Sequence, residues 1–212
     1  MLNDFVFVLG NYACDKHCPY CIAKMNKNTT LSLEKEIDLL KTKIESYKQK
    51  NTKFRHFVIS GNGEPSLYSL DELKQIKEIV EASGLFSNFR IQTSGNLFSE
   101  KEKLNLFDNW TKEITIISEN SQEDKKFYKY KNSYLDSKEF LSSQNVRVNI
   151  VVLNSTLNKL SKIISYWWKV LIMDKVAFPN SLEVDMNGEK LCMKQLLENA
   201  KKNLILMLHL YV

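Results

Sequence analysis

Three cysteines and a histidine occupy eight consecutive positions near the start of the chain, in the segment CDKHCPYC at 14–21. The spacing is Cys14-x3-Cys18-x2-Cys21, and His17 precedes the second thiol directly. Thiols this close together can pair as disulfides, ligate a zinc ion, or hold a metal cluster that keeps one coordination position open. The choice among these three chemistries decides most of what the sequence predicts about function.

The expected compartment makes the disulfide interpretation the weakest of the three. The N-terminal segment MLNDFVFVLGNYAC has an early acidic residue and too short an apolar run for a signal peptide. The longest apolar stretch, LILMLHLYV, is far below the roughly 20 residues that span a bilayer. We therefore expect a cytoplasmic protein without a membrane segment, in which thiols stay reduced and clustered cysteines indicate metal binding or catalysis.

Zinc and an iron–sulfur cluster remain as alternatives for the thiols. Cys14, His17, Cys18 and Cys21 together would give zinc a Cys₃His ligand set. His17 and Cys18 are adjacent, however, and so compact a loop is poorly suited to surround a tetrahedral ion. A four-iron cluster takes four ligands, so three cysteines on one loop reach three irons and leave the fourth open to a substrate or cofactor.

The composition is that of a soluble globular chain with enough apolar residues for one core. It has 212 residues, 43% hydrophobic and 26% charged, with a formal net charge of +5. Lysine and glutamate interleave in stretches such as EKEIDLLKTKIESYKQK, which is typical of solvated helix faces. No RRM, KH or zinc-finger signature accompanies the basic balance, so we expect no nucleic-acid partner.

Strand-like and helix-like segments alternate along the chain, which predicts βα units and a parallel sheet. Six short apolar runs read as strands, at 5–9, 54–60, 89–93, 113–118, 146–153 and 175–178. The first helical stretch between them places five residues on one apolar stripe: Leu33, Ile37, Leu40, Ile44 and Tyr47.

Two helix starts carry the spacing of a capping box. Ser69 and Glu72 open one helical stretch, which Gly84 closes, and Ser99 and Glu102 have the same spacing before the next. The cysteine segment itself follows the first predicted strand directly. In parallel α/β folds, functional sites form at that carboxyl end of the sheet.

The cysteine spacing, with Tyr20 just before the last thiol, resembles the signature of the radical S-adenosylmethionine superfamily. The segment VISGNGEPSL at 58–67 is similar to that family's glycine-rich motif after the second strand. An asparagine interrupts the glycine run here, and the order of residues is Gly61, Asn62, Gly63, Glu64 and Pro65. IQTSGN at 91–96 resembles the polar end of the family's third strand, and the resemblance extends from residue 5 to about 178.

The resemblance implies a partial (β/α)6 TIM-like barrel over 1–180, followed by a C-terminal appendage over 181–212. It implies one [4Fe–4S] cluster on Cys14, Cys18 and Cys21, whose open iron binds the methionine moiety of S-adenosylmethionine. The backbone of 61–64 would receive the amino group of that cofactor, where glycines permit a close approach. The implied activity is reductive cleavage of the cofactor to a 5′-deoxyadenosyl radical that abstracts hydrogen from a substrate.

Further candidate contacts lie on the later predicted strands. Thr93 and Ser118 end two of them, and Ser118 is a candidate for the ribose hydroxyls. Asn149 and Arg147 share one face of the fifth strand, where Asn149 can contact the cofactor and Arg147 can neutralise a carboxylate. The alternative is that all four are ordinary polar strand residues, and for Cys192 we expect a buried free thiol.

The resemblance implies an external electron donor such as a flavodoxin or ferredoxin, because no dinucleotide fingerprint follows any predicted strand. Lys16, Lys24 and Lys27 flank the cysteines and are candidates for docking an acidic carrier. An open-sided partial barrel suits a large substrate such as a protein or peptide. A zinc-stabilised binding module and a degenerate, non-catalytic barrel are the other two interpretations.

Overall fold

The chain forms two compact units, Met1–Lys112 and Glu113–Val212. The structure is a computed structural model that describes residues 2–10, 14, 16, 18, 21, 31–128, 141, 144–153, 156–172, 184–186, 189–191 and 205–210. None of the helices it describes has the length and apolar character needed to cross a membrane.

The first unit alternates three strands with three helices. In chain order its elements are β1 (Leu2–Leu9), α1 (Leu33–Gln49), β2 (Phe54–Gly61), α2 (Leu70–Ala82), β3 (Phe86–Thr93) and α3 (Lys101–Leu106). Short 3₁₀ turns at Pro65–Leu67 and Asn96–Ser99 follow β2 and β3. Both strand pairs are parallel, so the ends of β1, β2 and β3 lie at the same edge of the sheet.

Aromatic packing joins the strands of the first unit to α1. The ring of Phe5 on β1 stacks on Phe57 of β2 at 5.8 Å between centroids and meets Tyr47 of α1 edge-on at 6.0 Å. Ile37, Leu40 and Ile44 of the predicted stripe are buried. Rings of this size each remove a large apolar area from water.

Of the two predicted capping boxes, one is confirmed and one is wrong. The hydroxyl of Ser69 accepts the backbone N–H of Glu72 at 3.3 Å, and the backbone N–H of Ser69 donates to the Glu72 carboxylate at 2.7 Å. Ser99, by contrast, belongs to the 3₁₀ turn, and α3 begins after Glu100 without a side-chain cap. Ser99 therefore lies in the turn after β3, although the spacing predicted that it would cap a helix.

The second unit continues the alternation. Its elements are β4 (Thr111–Ile116), which begins at the unit boundary, α4 (Ser121–Tyr128), β5 (Val146–Leu153), α5 (Leu160–Ile172), the pair β6 (Val184–Met186) and β7 (Glu189–Leu191), and β8 (Ile205–Leu210). Within this unit β5 lies between β4 and β8, and β8 pairs with β5 antiparallel, from Val148 opposite Leu210 to Leu153 opposite Ile205.

The α/β class predicted from the sequence is confirmed, because five strands alternate with helices from β1 to β5. The predicted strand at 175–178 lies outside the described residues. The apolar stretch near the C-terminus, which the sequence leaves unassigned, supplies the antiparallel strand β8. The domain boundary near residue 180 stays a prediction.

Candidate functional site

The cysteine segment follows β1 at the carboxyl end of the sheet. Cys14 is exposed and Cys18 and Cys21 are half-buried, and none of these three thiols is in a disulfide. The backbone N–H of Lys16 points at the Cys14 sulfur at 3.5 Å, and the N–H of Cys21 donates to the Cys18 carbonyl at 3.2 Å. The geometry agrees with the position expected from the sequence.

Lys16 is buried, which contradicts its predicted role in docking an electron carrier. Its side chain is only 2% exposed, and its ammonium donates to the Oδ1 atom of Asn96 at 3.0 Å. Asn96 begins the 3₁₀ turn after β3, 80 positions further along the chain. A lysine in this position cannot meet a partner protein, and Lys24 and Lys27 lie outside the described residues.

The glycine-rich turn begins at the last residue of β2. Gly61 pairs with Leu9 of β1, and the next N–H, that of Asn62, donates to the Leu9 carbonyl at 2.9 Å. A Cβ at Gly61 would lie 3.2 Å from the carbonyl oxygen of Gly63 and 3.4 Å from its nitrogen. The chain turns back on itself so closely that only a glycine fits at 61 without displacing its neighbours.

Glu64 joins the ends of β2 and β3 through a buried carboxylate that is 2% exposed. Its Oε1 atom accepts from the Ser66 N–H at 3.1 Å and from the Thr93 hydroxyl at 2.7 Å. Its Oε2 atom accepts from both the N–H and the hydroxyl of Ser94 at 2.6 Å. These contacts satisfy a carboxylate whose burial without partners would be very unfavourable.

The residues after β3 form a turn that depends on Gly95. The N–H of Gly95 donates to the Thr93 hydroxyl at 3.0 Å, and Gly95 has φ of 113°, a left-handed conformation that disfavours side chains. Thr93 itself is 4% exposed. Its hydroxyl therefore braces this turn against Glu64, and its assignment to cofactor binding stays a prediction.

A second glutamate, Glu36, is buried beside the residue that follows β1. The backbone N–H of Gly10 donates to its carboxylate, and a Cβ on Gly10 would collide with its Oε1 atom. Its Oε2 atom is buried and has no hydrogen-bond partner among the described residues. Burial raises the pKa of Glu36, and the Gly10 N–H offsets part of that increase.

The predicted contacts on the second unit are all buried. Ser118 is 4% exposed and donates its hydroxyl to the Asn120 carbonyl at 2.8 Å, and Asn149 on β5 is 3% exposed. Arg147, on the same face of β5, pairs with Glu113 at 2.6 Å. The predicted carboxylate partner of Arg147 is thus a side chain of the same unit, and the roles of Ser118 and Asn149 stay predictions.

His56 lies in the middle of a polar chain across three strands. Its Nδ1 atom is 2.7 Å from the Asp4 carboxylate and its Nε2 atom is 2.6 Å from the Arg90 guanidinium. Because Arg90 has only N–H groups to offer, the ring accepts at Nε2 and donates from Nδ1 to Asp4. Tyr20, His17 and Cys192 lie outside the described residues, so their predicted roles stay open.

The thiols of Cys14, Cys18 and Cys21 are of a ligand type that suits a metal ion or an iron–sulfur cluster. Three thiols lie on one segment after β1, whose last residue, Leu9, pairs with Gly61 at the start of the glycine-rich turn. Among the described residues, no three His, Cys, Asp or Glu side chains are gathered around a point where a metal ion would be held.

Comparison with solved structures shows what fold this arrangement belongs to. The chain is similar to anSMEcpe with bound AdoMet and the Cp18Cys peptide, with a TM-score of 0.61 and 16% identity over 80% of this chain and 48% of that chain. It is also similar to Streptococcus suis SuiB bound to the precursor peptide SuiA, with a TM-score of 0.59 and 15% identity over 80% and 37%. For SuiB bound to S-adenosylmethionine the values are 0.56, 15%, 80% and 36%.

At these identities the similarity shows the fold alone, which is a partial TIM-like barrel. The chain spans less than half the length of each of these proteins. No protein-family model matches the sequence, and no curated protein matches it significantly.

Sequence reasoning missed three residues of this site. Lys16 and Glu36 look like surface residues in a chain of interleaved charges, and nothing in the sequence marks them as buried. Asn96 stands inside the quoted segment IQTSGN, but its partner Lys16 is too distant in sequence to be predicted. A glycine directly after a predicted strand, as at Gly10, could have indicated a close backbone approach at this point.

Proposed function

We propose that the chain is a radical S-adenosylmethionine enzyme that holds one [4Fe–4S] cluster on Cys14, Cys18 and Cys21. The observation that carries the proposal is the placement of the cysteine segment and the glycine turn. Leu9 and Gly61 are paired at the ends of adjacent parallel strands, so both segments leave the same edge of the sheet. The fold agrees with this function, since it is similar to structures that contain S-adenosylmethionine.

The chain's own residues would prepare the site in two ways. The thiols of the loop offer three ligands, one fewer than a four-iron cluster takes. Glu64 fixes the end of β2 to the end of β3, so that the backbone of 61–63 keeps its shape when a ligand approaches. A bound and reduced cluster would supply the electron for reductive cleavage of S-adenosylmethionine, the radical chemistry that the proposed function requires.

For the substrate we propose a peptide or protein. Two of the similar structures are complexes with peptides, SuiB with SuiA and anSMEcpe with Cp18Cys. For the electron we propose an external carrier such as a flavodoxin or ferredoxin, acting on a protein in the cytoplasm. Lys16 is buried and is no longer part of the proposed docking surface.

Iron content tests the ligand assignment. Anaerobic reconstitution with iron and sulfide should give about four irons per chain. Each of Cys14→Ala, Cys18→Ala and Cys21→Ala should lose most of the iron and of the brown absorbance. Cys192→Ala, the matched control, should retain both. Full iron content in any of the three variants would contradict the assignment.

The alternative function is a zinc-stabilised binding module, which the same cysteines would serve. It predicts a colourless protein that is purified with zinc and takes up no iron–sulfur cluster.

The cofactor role of the glycine turn has a separate test: Gly63→Val should weaken binding of S-adenosylmethionine while leaving the iron content unchanged. Unchanged affinity in the reconstituted variant would contradict that role.

A further inference from the structure

Lys16 is the most deeply buried charge in the described part of the cysteine segment. It lies between Cys14 and Cys18 in sequence, is 2% exposed, and donates its ammonium to Asn96 at 3.0 Å. Taking an ammonium out of water is costly unless hydrogen bonds replace the lost hydration. Ordering a long lysine side chain also costs conformational entropy. We therefore expect this buried lysine to have a structural role in the cysteine segment.

The acceptor of this hydrogen bond belongs to a well-braced part of the fold. Asn96 follows Gly95, whose N–H is held by Thr93, and Ser94 donates twice to the carboxylate of Glu64. Glu64 in turn lies at the end of β2, next to the glycine turn. Hydrogen bonds, together with the covalent chain of the turn at 94–96, thus connect the middle of the cysteine segment to the ends of β2 and β3.

We propose that Lys16 is a positioning residue that anchors the cysteine segment to the end of β3. Its hydrogen bond to Asn96 would hold Cys14 and Cys18 near the glycine turn before any metal is bound. This part of the inference concerns the metal-free protein and stands without the proposed function.

The second part rests on the proposed function and concerns the charge of Lys16. Reduction adds an electron to a cluster that already carries three thiolate ligands. A positive charge fixed within the same segment and largely removed from water favours the more negative reduced form. Lys16 would therefore raise the reduction potential of the bound cluster.

Alkylation of the metal-free protein tests the anchor. We expect Lys16→Met and Asn96→Ala each to speed the reaction of the half-buried Cys18 with iodoacetamide roughly tenfold, because a hydrogen bond to a charged group is lost. The reaction is measured well above the ordinary thiol pKa, so that loss of the lysine charge does not change the thiolate fraction. The effect in the double variant should be smaller than the two single effects predict together, since both substitutions remove the shared contact. The matched control is Lys43→Met on α1, an exposed lysine, which should react like the unmodified chain.

Unchanged alkylation rates in a Lys16→Met protein that still unfolds cooperatively would overturn the anchor. Fully additive effects of the two substitutions would overturn the Lys16–Asn96 pairing as its cause. Neither result depends on a cluster, so this test is separate from that of the proposed function.

The reduction potential of the reconstituted cluster tests the charge. Lys16→Met should shift the midpoint to a more negative potential, while Lys16→Arg, which keeps the charge, should restore most of it. Asn96→Ala keeps the ammonium and should cause the smaller shift. Equal potentials in Lys16→Met and the unmodified chain would overturn the charge effect. Failure of the unmodified chain to take up iron would count against the proposed function and leave the alkylation result as the test of the anchor.

Discussion

Two buried glutamates lie at the carboxyl ends of neighbouring strands, and they differ in how many hydrogen bonds they accept. Glu64, after β2, accepts from Ser66, Thr93 and twice from Ser94. Glu36, beside the residue after β1, is 7% exposed and accepts from the N–H of Gly10, while its Oε2 atom has no partner among the described residues.

The difference shows how two neighbouring positions at the carboxyl edge of the sheet are built. Around Glu64 both carboxylate oxygens accept hydrogen bonds, from β3 and from the turns that follow β2 and β3. Around Glu36 one buried oxygen has no donor among the described residues, and burial raises the pKa of the carboxyl. At the carboxyl edge of the sheet, the position after β2 is therefore held by more hydrogen bonds among the described residues than the position beside Gly10.

The largest loss of stability is expected from removing the carboxylate of Glu64. Glu64→Ala removes the acceptor of four hydrogen bonds, those from the N–H groups of Ser66 and Ser94 and from the hydroxyls of Thr93 and Ser94. Four such losses should lower the free energy of unfolding by about 3 kcal/mol or more. Urea denaturation of the metal-free protein measures this, and the control is Glu78→Ala on α2, an exposed glutamate that should change little.

Glu64→Gln tests how much of this loss depends on the second acceptor oxygen. An amide keeps one acceptor oxygen, but it places an NH₂ group where the carboxylate accepted a hydrogen bond. We expect a loss between those of the control and of Glu64→Ala. If Glu64→Ala were as stable as the control, the carboxylate would not hold the ends of β2 and β3 together.

A smaller loss of stability is expected from a substitution at the contact between Gly10 and Glu36. Gly10→Ala places a methyl group against the Glu36 carboxylate, and we expect a loss of about 2 kcal/mol from this overpacking. Glu36→Ala in the same chain removes the obstacle, so the double variant should be more stable than the two separate losses predict. Strict additivity in urea denaturation would mean that the collision is not the cause.

The smallest expected effect is the pH dependence of stability that Glu36 causes. Because the pKa of Glu36 is raised above its ordinary value of 4.5, folding favours the protonated form, and its stabilising contribution is present at low pH. That contribution is lost as pH rises from near 4.5 through the folded-state pKa. The stability difference between the unmodified chain and Glu36→Gln should therefore fall as pH rises above 4.5 and should level off above the folded-state pKa.

Glu81 provides the opposite case as a control. Burial alone would raise its pKa, but hydrogen bonds from Lys77, Trp110 and Asn109 lower it overall. Its contribution is therefore present at neutral pH and lost as pH falls below the ordinary carboxyl range. Glu81→Gln should remove a dependence of the opposite sign, and slopes of the same sign in both variants would contradict the assigned pKa directions.

The sequence predicted those parts of the molecule whose cause is local. The strand at 146–153, the stripe of α1 and the Ser69 capping box follow from periodicity and spacing within a few residues. The cysteine and glycine segments were also recognisable, because each motif is contiguous.

The remainder depends on contacts between residues far apart in the chain. Lys16 reaches Asn96 across 80 positions, and Glu64 reaches Ser94 across 30. Neither pairing leaves a trace in composition or periodicity, so Lys16 was predicted to be a surface residue. The strand formed by Ile205–Leu210 was missed because its apolar run shows no alternation that would distinguish a strand from a buried tail.

The proposal of radical chemistry is tested most directly by product formation. The anaerobically reconstituted protein should be given dithionite and S-adenosylmethionine, and 5′-deoxyadenosine should be quantified by mass spectrometry. The proposal predicts 5′-deoxyadenosine from the unmodified chain and only background from Cys18→Ala. No product from an unmodified chain that holds about four irons, or equal product from Cys18→Ala, would contradict it.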